Sequence, residues 1–151
     1  MRITGSLSCD FAEINPLRNV AWWGVFSIDK NAVAHIDALK DFQMSSGLQI
    51  AIQVGPRLVD NGHVVSGLKT NISQKTFVAQ TADSEIILGV TQKGLLDSID
   101  LAKILANELK AKEALCFDGG SSTQLYSKIN GVVKEVFGLS PVVSGVVVVP
   151  R

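Results

Sequence analysis

The chain has 151 residues, and its 14 basic and 14 acidic side chains cancel without clustering, which excludes the electrostatic footprint of a nucleic-acid binder. Hydrophobic residues make up 46% and charged residues only 19%, so the sequence implies strands buried on both faces and surface that homo-oligomer formation would cover. Two cysteines and two scattered histidines lack ligand spacing, so neither a metal nor a cofactor is expected.

The length suits one domain over residues 1–151. Met1 to Asp10 has neither the charged start nor the apolar core of a signal peptide. No apolar run is long enough to cross a membrane, so a soluble chain with no membrane partner is expected; no compartment is indicated.

In chain order, Met1 to Asn19 is a weakly periodic lead-in with at most one edge strand. Val20 to Ile28, rich in aromatic and β-branched residues, predicts a strand, with Ala32 to Ile36 returning beside it after the Asp29-Lys-Asn31 turn. Leu39 and Phe42, three apart behind Asp37, predict a short helix to Met44. Leu48 to Val54 alternates as a strand with one more apolar face. Asp60-Asn-Gly62 marks a hairpin between Leu58-Val59 and His63 to Val65, and a loop runs from Ser66 to Gln74. A second hairpin joins Lys75 to Gln80 with Glu85 to Thr91. Asp97 or Ser98 caps a helix over Ile99 to Ala111, with Leu101, Ile104, Leu105 and Leu109 as its apolar stripe. A strand then runs into Asp118, a short helix or turn reaches Lys128, and Val132 to Phe137 and Val142 to Val149 close the chain as strands. The pattern is α+β: a mixed, largely antiparallel sheet with one main helix and short helices packed on it.

The segment from Ala114 to Tyr126 carries the chemistry. Its apolar start, which includes Cys116 as a buried free thiol, reads as a buried strand delivering Asp118 to a sheet edge. Gly119 and Gly120 allow a tight bend, and Ser121, Ser122 and Thr123 can cap a short helix or turn beyond it. Such a bend aims backbone N–H groups at one spot beside an acid, which suits an anion; a plain β-hairpin is the competing reading. Trp22 and Trp23 lie on alternate faces, one of them in the core, and His35 and His63 read as surface or satisfied histidines.

Taken together, Gln53-Val-Gly-Pro-Arg-Leu-Val59 with Asp60-Asn-Gly62, Lys75-Thr76 at the head of a hairpin, Gly94-Leu-Leu96 before a helix and Leu115-Cys-Phe-Asp-Gly-Gly-Ser-Ser122 resemble the phosphodiester glycosidase family. Trp23 to Ile28 looks like the strand before the first landmark, so the resemblance covers roughly residues 20 to 149. Two departures stand out. Members usually carry an upstream Asn-Gly-Gly-Phe-Phe-like segment, which Met1 to Asn19 lacks, and their Arg-Thr pair is Lys75-Thr76 here. Lysine keeps the charge but not the bidentate fork.

The resemblance implies hydrolysis of a sugar-1-phosphodiester, with a sugar-phosphate or glycan as substrate partner. Arg57 and Lys75 would clamp the phosphodiester, Asp118 would act as acid/base, and Thr76, Gly119, Gly120, Ser121 and Ser122 would bind substrate. The alternative is a catalytically degenerate module that binds sugar phosphate or glycan. Arg57 is read equally as a partner of Asp60, Lys75 as a surface lysine and Asp118 as a turn cap.

Overall fold

The structure is a computed structural model and describes residues 16–92, 94–142 and 145–149; the lead-in up to Asn15, with Cys9, lies outside the described residues. Its strands are β1 (Gly24–Asp29), β2 (Ala34–Ala38), β3 (Leu48–Val54), β4 (Arg57–Asp60), β5 (His63–Val64), β6 (Ile72–Ser73), β7 (Thr76–Thr81), β8 (Ile86–Val90) and β9 (Leu96–Asp97). Helix α1 (Ser98–Asn107) leads to β10 (Ala111–Cys116), a 3₁₀ turn (Gly120–Ser122), β11 (Leu125–Ile129) and β12 (Val132–Val136).

Five strands form the main sheet in the order β5-β4-β10-β7-β8, and three form a second in the order β2-β1-β3. Every ladder among the described residues is antiparallel, so the sheets are not mixed. The fold is strand-rich with one α-helix among the described residues.

The centre of the main sheet is covered on both faces. Along β7 and β10, Phe77, Ala79, Ala114 and Cys116 enter one buried cluster with Leu101, Ala102 and Leu105 of α1. Val78 and Leu115, at the intervening positions, enter a second cluster with Phe26, Ile28, Ala34 and Ile36 of the three-stranded sheet. The period-2 alternation of a strand thus becomes two cores back to back. Each fully buried Leu or Val here contributes roughly 1.5–3 kcal/mol.

Local signals held at the tight turns. Asn61 and Gly62 take φ of 49° and 80° between β4 and β5, the geometry an Asn-Gly pair favours. Asp97 is the N-cap of α1, its carboxylate accepting from the Ile99 N–H at 3.0 Å.

Four expectations need correction. No helix forms from Asp37: Asp37 pairs with Val25 in the β1–β2 ladder, and beyond it comes a single turn in which the Asp41 and Phe42 N–H groups both donate to the Ala38 carbonyl. Helix α1 ends at Asn107, because Lys110 turns to φ 52° and Ala111 already belongs to β10; Ile104 and Leu109 of the predicted stripe are exposed. The short helix or turn expected up to Lys128 is confined to the 3₁₀ turn at Gly120–Ser122, and Leu125–Ile129 is the strand β11, paired with β12 around Asn130-Gly131. The valine-rich end forms no strand over 145–149, and Val147 is 77% exposed. β-branched residues favour strands by packing on a paired neighbour, and among the described residues no strand pairs with this segment.

Candidate functional site

The site is a cavity of about 370 Å³ where β10 runs out of the main sheet. Gly55 and Pro56, from the link between β3 and β4, line one side with Phe117 and Cys116. Asn71, Ser73, Lys75 and Ser98 line a polar side, and Asp118, Gly119 and Gly120 complete it.

Backbone pairing explains why these segments meet. The Cys116 N–H donates to the Pro56 carbonyl at 3.0 Å, and the Phe117 N–H donates to the Thr76 carbonyl at 2.8 Å, so the end of β10 is pinned between two neighbours. The diglycine then has two separate jobs. A Cβ on Gly119 would sit 2.6 Å from the Gln74 carbonyl oxygen, closer than atoms tolerate. Gly120 takes φ 61° and donates its N–H to that same oxygen at 2.8 Å. The bend is not a hairpin, since β10 and β11 belong to different sheets.

Lys75 lines the cavity and is only 2% exposed. Its Nζ donates to the Asn71 carbonyl at 2.6 Å and to Ser73 Oγ at 2.9 Å, and its own N–H donates to Thr91 Oγ1 at 2.9 Å. No carboxylate of the described residues forms an ion pair with it. A buried ammonium held by neutral acceptors alone costs several kcal/mol of desolvation that an anion in the cavity would offset. Asp118 is exposed, and its Oδ1 accepts from the Gly119 N–H at 2.9 Å. Burial pushes the Cys116 thiol up; the positive charge of Lys75 pulls it down and the negative charge of Asp118 adds to the rise. Cys116 is a free, buried thiol that stays protonated near neutral pH rather than a nucleophile.

Of the residues singled out in the sequence, Lys75, Asp118, Gly119 and Gly120 share this cavity. Arg57 does not. It lies opposite Leu115 in the β4–β10 ladder, and facing residues of a ladder project to the same side. Leu115 belongs to the cluster on the face turned toward the three-stranded sheet, so Arg57 projects away from Cys116 and the cavity. There its Nη2 pairs with Asp60 at 3.0 Å and Glu113 at 3.1 Å.

Thr76, Ser121 and Ser122 are not part of the lining. Thr76 Oγ1 lies 3.4 Å from Thr123 Oγ1, and the Ser121 carbonyl accepts from the Leu139 and Ser140 N–H groups. Three of the expected backbone donors are also taken: the Gly119 N–H by Asp118, the Gly120 N–H by Gln74 and the Ser122 N–H by Gly119. Local sequence does not single out Asn71, Ser73 or Ser98. Asn71 and Ser73 precede Lys75 in a stretch that reads as loop, and Ser98 reads only as a cap. Among the described residues, no group of three or more His, Cys, Asp or Glu is placed to hold a metal ion.

The sequence profile of the phosphodiester glycosidase family matches residues 10–149. The chain belongs to this family. The similarity to solved structures is remote. The catalytic domain of zebrafish N-acetylglucosamine-1-phosphodiester alpha-N-acetylglucosaminidase, auto-inhibited by its pro-peptide, superposes with a TM-score of 0.55 at 16% identity. That match covers 74% of this chain but 43% of the zebrafish one, so the chain spans less than half of that relative, and the likeness is one of fold. A hypothetical protein from Synechocystis matches at TM-score 0.41 and 19% identity over 68% of this chain and 29% of its own. No curated protein sequence matches the chain. Within a phosphodiester glycosidase, a cavity joining a buried cation to a carboxylate is the feature that bears on chemistry.

Proposed function

We propose that this chain hydrolyses the glycosidic linkage of a sugar-1-phosphodiester, with N-acetylglucosamine as the sugar to test first. The observation that carries the reading is the buried ammonium of Lys75, without a carboxylate partner among the described residues, in the same cavity as Asp118. In this reading Lys75 neutralises the phosphodiester, and Asp118 moves the proton. Water adds to the anomeric carbon, the bond from that carbon to the phosphoryl oxygen breaks, and the products are a free sugar and a phosphomonoester. Arg57 has no part in the clamp, because its charge is spent on Asp60 and Glu113.

The test is release of free sugar from a synthetic N-acetylglucosamine 1-(alkyl phosphate). Asp118→Asn should lower the rate by roughly 10²–10⁴-fold while phosphate binding persists. Unchanged turnover in that variant would remove Asp118 from the mechanism.

One observation favours a second reading. Asp118 is the one carboxylate among the residues lining the cavity, whereas glycoside hydrolysis generally uses a pair. A module that binds the sugar phosphate without turnover would show calorimetric binding and no sugar release.

A further inference from the structure

Ser98 opens α1 and lines the cavity, yet only 2% of it is exposed. Its position is set by a strand register. In the β6–β9 ladder, Ile72 faces Asp97 and Ser73 faces Leu96; Asn71 and Ser98, the residues just beyond its end, both line the cavity. The Asn71 carbonyl is the 2.6 Å anchor of the Lys75 ammonium. Ser98 thus shares a cavity with the one buried cation of its lining.

Capping does not use this hydroxyl. The first turn of α1 is capped by the Asp97 carboxylate on the Ile99 N–H. The Ser98 hydroxyl makes no hydrogen bond to a described residue, although it faces the cavity from a buried position. Buried polar groups are ordinarily satisfied, and one that opens onto a cavity is satisfied by what the cavity holds. The Asp97 carboxylate also offsets the partial positive charge of the helix start, so a contact here is the hydroxyl's own. With the Gly119, Gly120 and Ser122 N–H groups engaged within the bend, the neutral side-chain donors that line the cavity are those of Asn71, Ser73 and Ser98. Of these three residues, Ser98 is the one that does not already hold the Lys75 ammonium.

We infer that Ser98 is a substrate-binding residue, donating its hydroxyl to a non-bridging oxygen of the phosphoryl group that Lys75 neutralises. The inference rests on the anionic reading of the cavity given above. At about 370 Å³ the cavity lies within the range of small-molecule pockets, roughly 300–1,000 Å³.

The test is calorimetric titration of the full chain with inorganic phosphate, with N-acetylglucosamine 1-phosphate and with N-acetylglucosamine, in wild type, Ser98→Ala, Ser98→Thr and Lys75→Met. Alanine is at least as good a helix former as serine, so Ser98→Ala keeps the fold. It should weaken both phosphate ligands by roughly ten- to a hundredfold, the loss of one hydrogen bond to a charged group. Ser98→Thr, which keeps the hydroxyl, should recover most of that loss. Wild-type phosphate affinity in Ser98→Ala, alongside lost binding in Lys75→Met, would overturn the role of Ser98 and leave the anion site standing. Weaker sugar binding with unchanged phosphate binding would overturn it too, by moving the contact to the sugar. Phosphate binding absent from wild type, or unchanged in Lys75→Met, would overturn the anionic reading itself.

Discussion

The guanidinium of Arg57 and the carboxylate of Glu113 meet at 3.1 Å on the face of the main sheet turned away from the cavity, with side-chain exposures of 14% and 13%. The other oxygen of Glu113 accepts from the Asn61 N–H at 3.0 Å, so this pair also holds the β4–β5 turn. Arg57→Ala would leave the half-buried Glu113 carboxylate with the Asn61 N–H alone. The expected outcome is a loss of about 2 kcal/mol of stability, or a drop in Tm of about 4–8 °C. Phosphate affinity, measured below the lowered Tm, should stay at the wild-type value.

Lys75 gives the opposite signature. Lys75→Met replaces a buried charge with an apolar chain of similar length, which removes its desolvation cost but leaves the Ser73 hydroxyl and Asn71 carbonyl without it. These effects oppose one another, and chemical denaturation should show a change within about 1 kcal/mol. Phosphate binding should be lost. A variant as stable as wild type that no longer binds anions separates function from folding at this residue.

The two glycines after Asp118 should fail differently. Gly119→Ala places a Cβ 2.6 Å from a carbonyl oxygen of the neighbouring backbone, so that backbone must move. Gly120→Ala meets nothing within 4 Å and bears only the strain of φ 61°, about 1–2 kcal/mol. Thermal unfolding should rank Gly119→Ala as the more damaging. Gly120→Asn should be milder than Gly120→Ala, because asparagine visits the left-handed region more readily.

Two aspartates give stability opposite dependences on pH. The Val33 N–H, ahead of other hydrogen bonds and His35, holds Asp29 below its usual 3.8 despite some desolvation. Its stabilisation is therefore present above 3.8 and lost as acid protonates the folded form. Burial raises Asp37 above 3.8, with His35 and Arg57 opposing and Asp41 adding to the rise. For Asp37 the folded state holds the proton more tightly, so its contribution is present below 3.8 and lost as pH rises through the folded value. Denaturation curves at a series of pH values should show Asp37→Asn more stable than wild type near neutral pH. Asp29→Asn should be less stable there and less sensitive to acid.

The sequence alone determined what neighbours along the chain decide: the Asn61-Gly62 turn, a cap at Asp97 or Ser98, the alternation of β3, and a tight reversal at Gly119-Gly120 whose hairpin or bend form it left open, because each depends on dihedral preferences and hydrogen bonds within a few residues. The order of its landmarks also carried the family. Tertiary structure decided which side chains share a space. Arg57 opens one strand of the main sheet and Asp118 lies just past another, but the pairing of Arg57 with Leu115 sends the arginine to the opposite face, and a one-residue change of register would reverse it. Ser98 and Asn71 are distant in sequence and line one cavity beside the point where β6 pairs with β9. The valines of 145–149 show the same limit, since strand preference is realised against a neighbour that local pattern does not name.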